Sequence, residues 1–337
     1  MLYITTRNSR DAFTAQRALR ESRGPDGGMY LPFHAPSYSP ADLDALAALP
    51  FGQRIAEVLN RLFQSKCSGW DVDFSVGRNP VRLTPLGHRI QAAEVWHNPG
   101  WSYAHLEREL SKILNRGDNP TGGWVHIAVR IAVLFGIFGE LRNSGIEAAD
   151  IAVVSGDFSA PISAYYARQW GLPIETIVCC CNENSELWSL LSHGQLRTDT
   201  VSVPTVVPEA DAALPEQLER LIYEAGGTAE TARYLEACRR GGMYLPGDGV
   251  LVKLRRGLQV SVVSSRRVLE TIPSIYRTRN YILSPGSALA YAGLMDYRAK
   301  TGQTRNALIL AEKSPLCAAK VTACALGVTE EELRDLI

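Results

Sequence analysis

Hydrophobic positions change period along this chain, and the changes predict its elements. Leu2 to Thr5 is a short apolar run that predicts a strand, and a helix is expected from Asp11 to about Glu21. Gly24-Pro25-Asp26-Gly27-Gly28 is a turn leading into the strand-like Met29-Tyr30-Leu31-Pro32. Pro40-Ala41-Asp42 opens a second helix. Ile55, Val58, Leu59 and Leu62 repeat at three to four residues, which predicts a helix over 51–66. The segment Ser68 to Arg89 reads as loop-rich.

From Thr121 onward the pattern is more apolar. Val125 to Leu141 predicts a buried helix, and Ile151 to Val154 a buried strand ending in Ser155-Gly156-Asp157-Phe158-Ser159-Ala160. A helix from Pro161 to Trp170 is stopped by Gly171, and Ile174 to Cys181 is again a strand. That order is a βαβ unit, so a parallel sheet is expected. Helices are predicted at Leu214 to Glu224, Ala229 to Arg239 and Ala288 to Thr301. A closing helix is predicted at Cys317 to Leu326, then a turn capped by Thr329. Strands are predicted at Val260 to Ser264 and Ala307 to Ala311. GGMYLP occurs at both 27–32 and 241–246, but the flanks differ and no internal repeat is inferred.

With 337 residues, 46% hydrophobic and 21% charged, the chain has ordinary globular composition and length for about two domains. Thirty-five basic residues balance 35 acidic ones, which argues against broad electrostatic binding to nucleic acid or an anionic membrane. Seven cysteines do not suggest a disulfide framework. Cys179, Cys180 and Cys181 lie in a strand, where neighbours point to opposite faces, so the three cannot converge on one metal. The six histidines lack metal-ligand spacing. The N-terminus has no apolar leader, and Ile127 to Leu141 is too short to span a bilayer. A cytoplasmic location is expected.

Several motifs, in order along nearly the whole chain, carry a resemblance. They are Thr5-Thr6-Arg7, Asp26-Gly27-Gly28-Met29-Tyr30-Leu31-Pro32, Thr84-Pro85-Leu86 and Glu94-Val95-Trp96-His97-Asn98-Pro99. Further on come Gly156-Asp157-Phe158, Ala164-Tyr165-Tyr166-Ala167, Gly171-Leu172-Pro173-Ile174, Asn182-Glu183-Asn184, Leu218-Glu219-Arg220-Leu221 and Ser284-Pro285-Gly286-Ser287-Ala288. In that order they resemble the threonine synthase family. The resemblance implies an α/β fold with a mostly parallel sheet and flanking helices, as in fold type II pyridoxal-phosphate (PLP) enzymes. It divides the chain into a threonine synthase-like N-terminal domain, 1–93, and an α/β core domain, 94–337. It also implies a lyase of threonine biosynthesis, in which a lysine holds PLP and O-phosphohomoserine becomes threonine and phosphate.

The same resemblance locates losses. The family lysine falls seven residues after the motif histidine, here His97, which gives Ala104; the next position is His105. A methyl group cannot form an imine. Lys112, if helical with Ala104, lies roughly 12 Å further along the axis, and Lys313 and Lys320 belong to the C-terminal region. The family's glycine-rich phosphate loop corresponds to Gly156, Asp157, Phe158, Ser159 and Ala160, where one glycine is replaced and a carboxylate enters. Those residues also suit a strand-to-helix turn capped by Asp157 or Ser159. The stretch that should carry the small cofactor-covering domain is reduced to 115–122. Ser284 and Gly286 stand where the family has Asp and His.

Two readings follow: a threonine synthase-like pseudoenzyme kept for binding or interaction, or an active threonine synthase or related PLP-dependent lyase. The first expects no cofactor, the second PLP. Candidate cleft residues are His97, Trp101, His105, Ser284 and Ser287. Loss of a covering domain leaves a cleft for a small-molecule ligand, and apolar surface that a homodimer or a partner protein would cover. Trp96, Trp101 and Tyr103 either turn inward to fill the cofactor space or form such a contact.

Overall fold

A computed structural model describes residues 1–63, 81–97, 103–104, 106–108 and 123–337. Strand β1 (Leu2–Thr5) is the middle of a small antiparallel sheet between β2 (Phe13–Thr14) and β3 (Tyr30–Pro32). The helix expected from Asp11 begins later, as α1 (Ala15–Arg20), because Phe13 and Thr14 first pair with β1 and Thr14 then caps the helix. Helix α2 (Pro40–Ala47) starts with proline in its first turn and a reciprocal Ser39–Asp42 capping box. Helix α3 (Phe51–Phe63) buries the apolar stripe seen in the sequence.

A six-stranded sheet forms the centre. Its strands are β4 (Arg82–Gly87), β5 (Ile90–Glu94), β6 (Ala149–Val154), β7 (Ile174–Cys181), β10 (Leu258–Val262) and β11 (Ala307–Ala311), in the order β10-β7-β6-β11-β5-β4. All neighbours are parallel except the β4–β5 hairpin at one edge. The sheet thus takes in residues 82–93, which precede the expected core segment, and 82–87 are strand where a loop was expected. Residues 68–80 of that expected loop lie outside the described residues.

A strand buried on both faces sends alternate side chains to two cores. Ile151, Val153, Ile177, Cys179, Cys181, Leu308 and Leu310 join the larger core. Ala152, Val178, Cys180, Ala307 and Ile309 join the smaller one on the other face. The consecutive cysteines are therefore split between two faces, buried and unpaired.

The larger core is covered by α3, by α4 (Trp124–Asn143) and by α5 (Ser159–Gln169). Helix α4 is longer than the pattern predicted. By length and composition it could cross a membrane, but 83% of its most apolar window is buried inside the protein. Gly136 and Gly139 let α3 approach it closely: a Cβ at Gly136 would meet the Phe51 ring at 2.8 Å, and one at Gly139 would meet the Arg54 guanidinium at 2.7 Å. Buried Arg54 donates to Leu46 O (3.0 Å), Ala47 O (2.8 Å), Gly136 O (3.1 Å) and Glu140 Oε1 (2.6 Å), tying α2 and α3 to α4.

The remaining elements are α6 (Glu186–His193), the ribbon β8 (Leu196–Arg197) with β9 (Met243–Tyr244), α7 (Leu218–Arg240) and α8 (Asp248–Arg255). Helix α7 contains the break expected near residue 227, where Gly227 has φ 70° and ψ −165°. Helices α9 (Ser265–Arg279) and α10 (Pro285–Thr301) supply the smaller core, and α11 (Ala319–Leu326) and α12 (Glu330–Leu336) end the described chain.

Candidate functional site

Open parallel sheets bind ligands beyond the C-terminal ends of their strands. Here β6 and β11 end at one cavity of about 220 Å³. Val153, Val154 and Leu310 form its apolar floor. Ser155, Gly156, Asp157 and Ala160 come from the β6–α5 turn, Ser284, Gly286 and Ser287 from the start of α10, and Arg130 from α4. Glu209, Glu312 and Lys313 complete the wall.

Two helix N-termini, of α5 and α10, face this cavity, a geometry that attracts anions. Both already carry acidic side chains. Asp157 Oδ1 accepts the Ser159 N–H at 2.9 Å and Asp157 Oδ2 the Ser159 hydroxyl at 2.7 Å. The Glu209 carboxylate lies against Gly286, in the first turn of α10, where a Cβ would collide with it. At the same turn Ser284 Oγ accepts the Ser287 N–H at 3.2 Å, and the two serine hydroxyls bond each other at 2.9 Å. The sharp entry into α5 is built from Gly156 at φ 43° and Phe158 at φ 73°.

The basic groups are paired loosely. Lys313 Nζ lies 3.9 Å from Glu209 Oε2. Arg130 Nη2 lies 3.8 Å from Glu312 Oε1, beyond hydrogen-bond distance, while its guanidinium stacks 4.0 Å from the Tyr103 ring centroid. Arg130 Nε and Nη1 and Glu312 Oε1 are all buried without a hydrogen-bond partner. Burial opposes the Arg130 charge, but Glu312 and the other acidic neighbours outweigh it and hold its pKa above the ordinary value.

Of the residues singled out in the sequence, Gly156, Asp157, Ala160, Ser284 and Ser287 line the cavity. Phe158 and Ser159 are buried behind it. Ala104 is helical and exposed, beside the inward-turned Tyr103. His97 does not line the cavity. It faces buried Glu94, with Nδ1 3.9 Å from Oε2, and Glu94 is otherwise engaged by Arg82 at 2.6 Å and by Thr84. Trp101 and His105 lie outside the described residues.

Arg130, Glu209, Glu312 and Lys313 were not singled out as cleft residues. Arg130, a charge within the apolar run 127–139, and the Glu312-Lys313 pair just after a buried strand were available signals. Lys313, read as remote, is brought to the cavity wall by β11. Glu209 had no signal, because a long loop delivers it.

PLP needs an amine at the imine position and a phosphate site without opposing charge. Ala104 carries no amine, and Asp157 and Glu209 lie at the two helix N-termini that open on the cavity. Among the residues that line the cavity, Lys313 is the amine, and it faces Glu209.

The parallel sheet and the cleft at its strand ends define an α/β fold like that of the fold type II pyridoxal-phosphate enzymes. Solved structures bear out the architecture. PLP-bound threonine synthase from Brucella melitensis superposes with a TM-score of 0.85 at 18% identity, over 100% of this chain and 94% of that one. Yeast threonine synthase gives 0.83, also at 18% identity, over 99% and 93%. Residues 2–73 match the family model for the threonine synthase N terminus. Threonine synthase of Pseudomonas aeruginosa is 25% identical over 177 residues, 52% of this chain and 37% of that one. Human threonine synthase-like 1 is 27% identical over 146 residues, 42% and 19%. The chain is thus similar to threonine synthases in sequence and in fold, and the matched stretches span less than half the length of these curated relatives.

Proposed function

We propose that this chain is a non-catalytic member of its family, retained to bind a small molecule or a partner at the old cofactor cleft. The observation that carries this reading is the Asp157 carboxylate on the first N–H of α5, at 2.9 Å, where a cofactor phosphate would sit. Two negative charges at partly buried separation oppose each other by about a kcal/mol or more. Ala104 at the lysine position points the same way. So does the short polar stretch 115–122, which stands where the resemblance expects a covering domain. A second copy of the chain or another protein covering the cleft belongs to this reading.

The second reading, a PLP-dependent lyase acting on O-phosphohomoserine, is favoured by one observation: Lys313 lines the cavity. Its amine faces Glu209 at 3.9 Å, so an imine there would break that contact.

Phosphate release from O-phosphohomoserine, measured with added PLP, tests the proposal. The wild type and Ala104→Lys are both expected to be inactive, since the carboxylates on the helix N-termini remain in the variant. Turnover by the wild type would favour the second reading. Turnover by the variant alone would show that only the lysine was lost.

A further inference from the structure

A second cavity, of about 310 Å³, lies apart from the cleft and shares none of its lining residues. Its walls come from α9, α10 and the turn between β4 and β5. That turn is held in an unusual shape. Gly87, His88 and Arg89 all have positive φ, at 80°, 52° and 58°, a region that residues with a side chain seldom enter. Buried Arg298 fastens it, donating to His88 O at 2.7 Å and to Arg305 O at 2.5 Å. The Arg279 guanidinium lies against Gly87, where a Cβ would collide with it. Backbone outliers of this kind persist where their surroundings over-determine them, and they cluster at ligand clamps. Here the turn sets His88 in the same cavity lining as Arg279.

We propose that this cavity binds the phosphate monoester of a small polyhydroxylated molecule, with the phosphate on Arg279 and His88 and the hydroxyl groups along α9. The site is independent of what the cleft holds. Among the described residues no carboxylate pairs with Arg267 or Arg279, and Glu270 is engaged from outside by Arg266, Nε to Oε1 at 2.8 Å. The lining therefore keeps surplus positive charge, and both guanidiniums are exposed to an entering ligand. A guanidinium fork meets phosphate oxygens through two parallel N–H donors. Burial pushes the Tyr291 phenol pKa up while Arg279 and Arg298 pull it down, so both charges act on this wall.

The face of α9 narrows the rest of the ligand. Arg267, Thr271, Ser274 and Thr278 recur at three to four residues and share one side of the helix. The Thr271 hydroxyl donates to Arg267 O at 2.7 Å and the Thr278 hydroxyl to Ser274 O at 2.8 Å. With their protons so placed, both oxygens face a ligand as acceptors, and the Glu270 carboxylate accepts as well. A row of acceptors calls for hydroxyl donors, as a sugar or polyol carries, and Glu270 opposes a second anionic group. Arg267 lies roughly 18 Å of helix rise from Arg279, so one phosphate does not meet both; Arg267 donates to hydroxyl oxygens at the far end. No bond is made or broken, so the site serves recognition.

Isothermal titration of the full chain with glucose 6-phosphate tests the proposal, with glucose and inorganic phosphate as comparison ligands. Glucose 6-phosphate should bind saturably, and each comparison ligand at least about tenfold more weakly. Arg279→Gln should lose about tenfold in affinity. His88→Asn should lose about threefold, since asparagine tolerates positive φ and keeps the turn while removing the ring. Arg277→Gln makes the same charge change on exposed α9 surface outside the lining and should bind as wild type does. Circular dichroism confirms that each variant is folded; if Arg279→Gln is not, His88→Asn and the ligand series decide. The proposal is overturned if glucose 6-phosphate fails to bind at about 10 mM, or if glucose or inorganic phosphate binds as well as it does. It is also overturned if Arg279→Gln binds unchanged, which would place the ligand elsewhere, or if Arg277→Gln loses as much as Arg279→Gln, which would reduce the effect to net charge.

Discussion

Arg7 grips Glu219 across 212 positions of sequence, with Nη2 3.0 Å from Oε2 and Nε 3.1 Å from Oε1. Glu219 is only 5% exposed and also accepts the Thr6 hydroxyl at 2.5 Å. Next to it, buried Arg220 donates to the Tyr30 carbonyl, so the start of α7 holds both the Thr6-Arg7 turn and β3. Arg7→Ala leaves a buried carboxylate short of its main partner and is expected to cost about 2–3 kcal/mol in urea unfolding. Arg7→Lys should recover less than half, because the two parallel donors are lost. An Arg7→Ala protein as stable as wild type would mean that this contact does not hold the N-terminal unit.

The close approach of α3 and α4 depends on glycine. Gly139→Ala drives a methyl group into Arg54 and should cost about 1–3 kcal/mol. Gly249, in the first turn of α8, has nothing within 4 Å of where its Cβ would lie, so Gly249→Ala should leave stability equal or raise it by a few tenths of a kcal/mol. Thermal melts of the two variants make the comparison, and equal losses would contradict it.

Thiol labelling should follow burial. Cys179, Cys180 and Cys181 are buried, and burial pushes all three thiols up, Cys181 to about 11. The thiolate is the reactive form, so these three should resist iodoacetamide at pH 8 in the native protein. Exposed Cys317 and Cys324 should react. Mass spectrometry after a short pulse checks this, and rapid labelling within 179–181 would show that β7 opens easily.

The N-cap of α5 is Phe158, neither Asp157 nor Ser159 as the sequence suggested, but Asp157, one residue before it, accepts the first N–H of the helix from the cleft side. Asp157→Ala should cost about 1 kcal/mol, and Asp157→Asn less, since its amide oxygen can still accept from Ser159 N–H. Denaturant melts of the two variants give the order, and a stabilising Asp157→Ala would remove the capping role.

The parts of the fold that could be read from the chain were those whose signal is local. The run Ile174 to Cys181 became β7 with the same limits, and the Thr329 cap appeared as a reciprocal pair with Glu332. The β4–β5 hairpin escaped because Ile90–Glu94 reads IQAAE, with neither alternation nor β-branched enrichment, and is strand because β11 pairs with it. The cleft was half legible. Gly156, Asp157, Ser284 and Ser287 sit in motifs with recognisable turn chemistry. Glu209 and Lys313 reach the cavity only through tertiary folding, the one from a 3-10 turn at Pro208–Ala210 and the other from beyond β11. The contact of Arg7 with Glu219 joins two motifs that each stood out alone, but no local rule predicts that they touch.

The most direct measurement is a visible absorption spectrum of the purified chain mixed with PLP, then borohydride reduction and peptide mapping. A non-catalytic chain is expected to show no imine band near roughly 400–430 nm and no reduced adduct in the cleft. A stoichiometric adduct mapped to Lys313, or to another lysine that lines the cleft, would contradict the account.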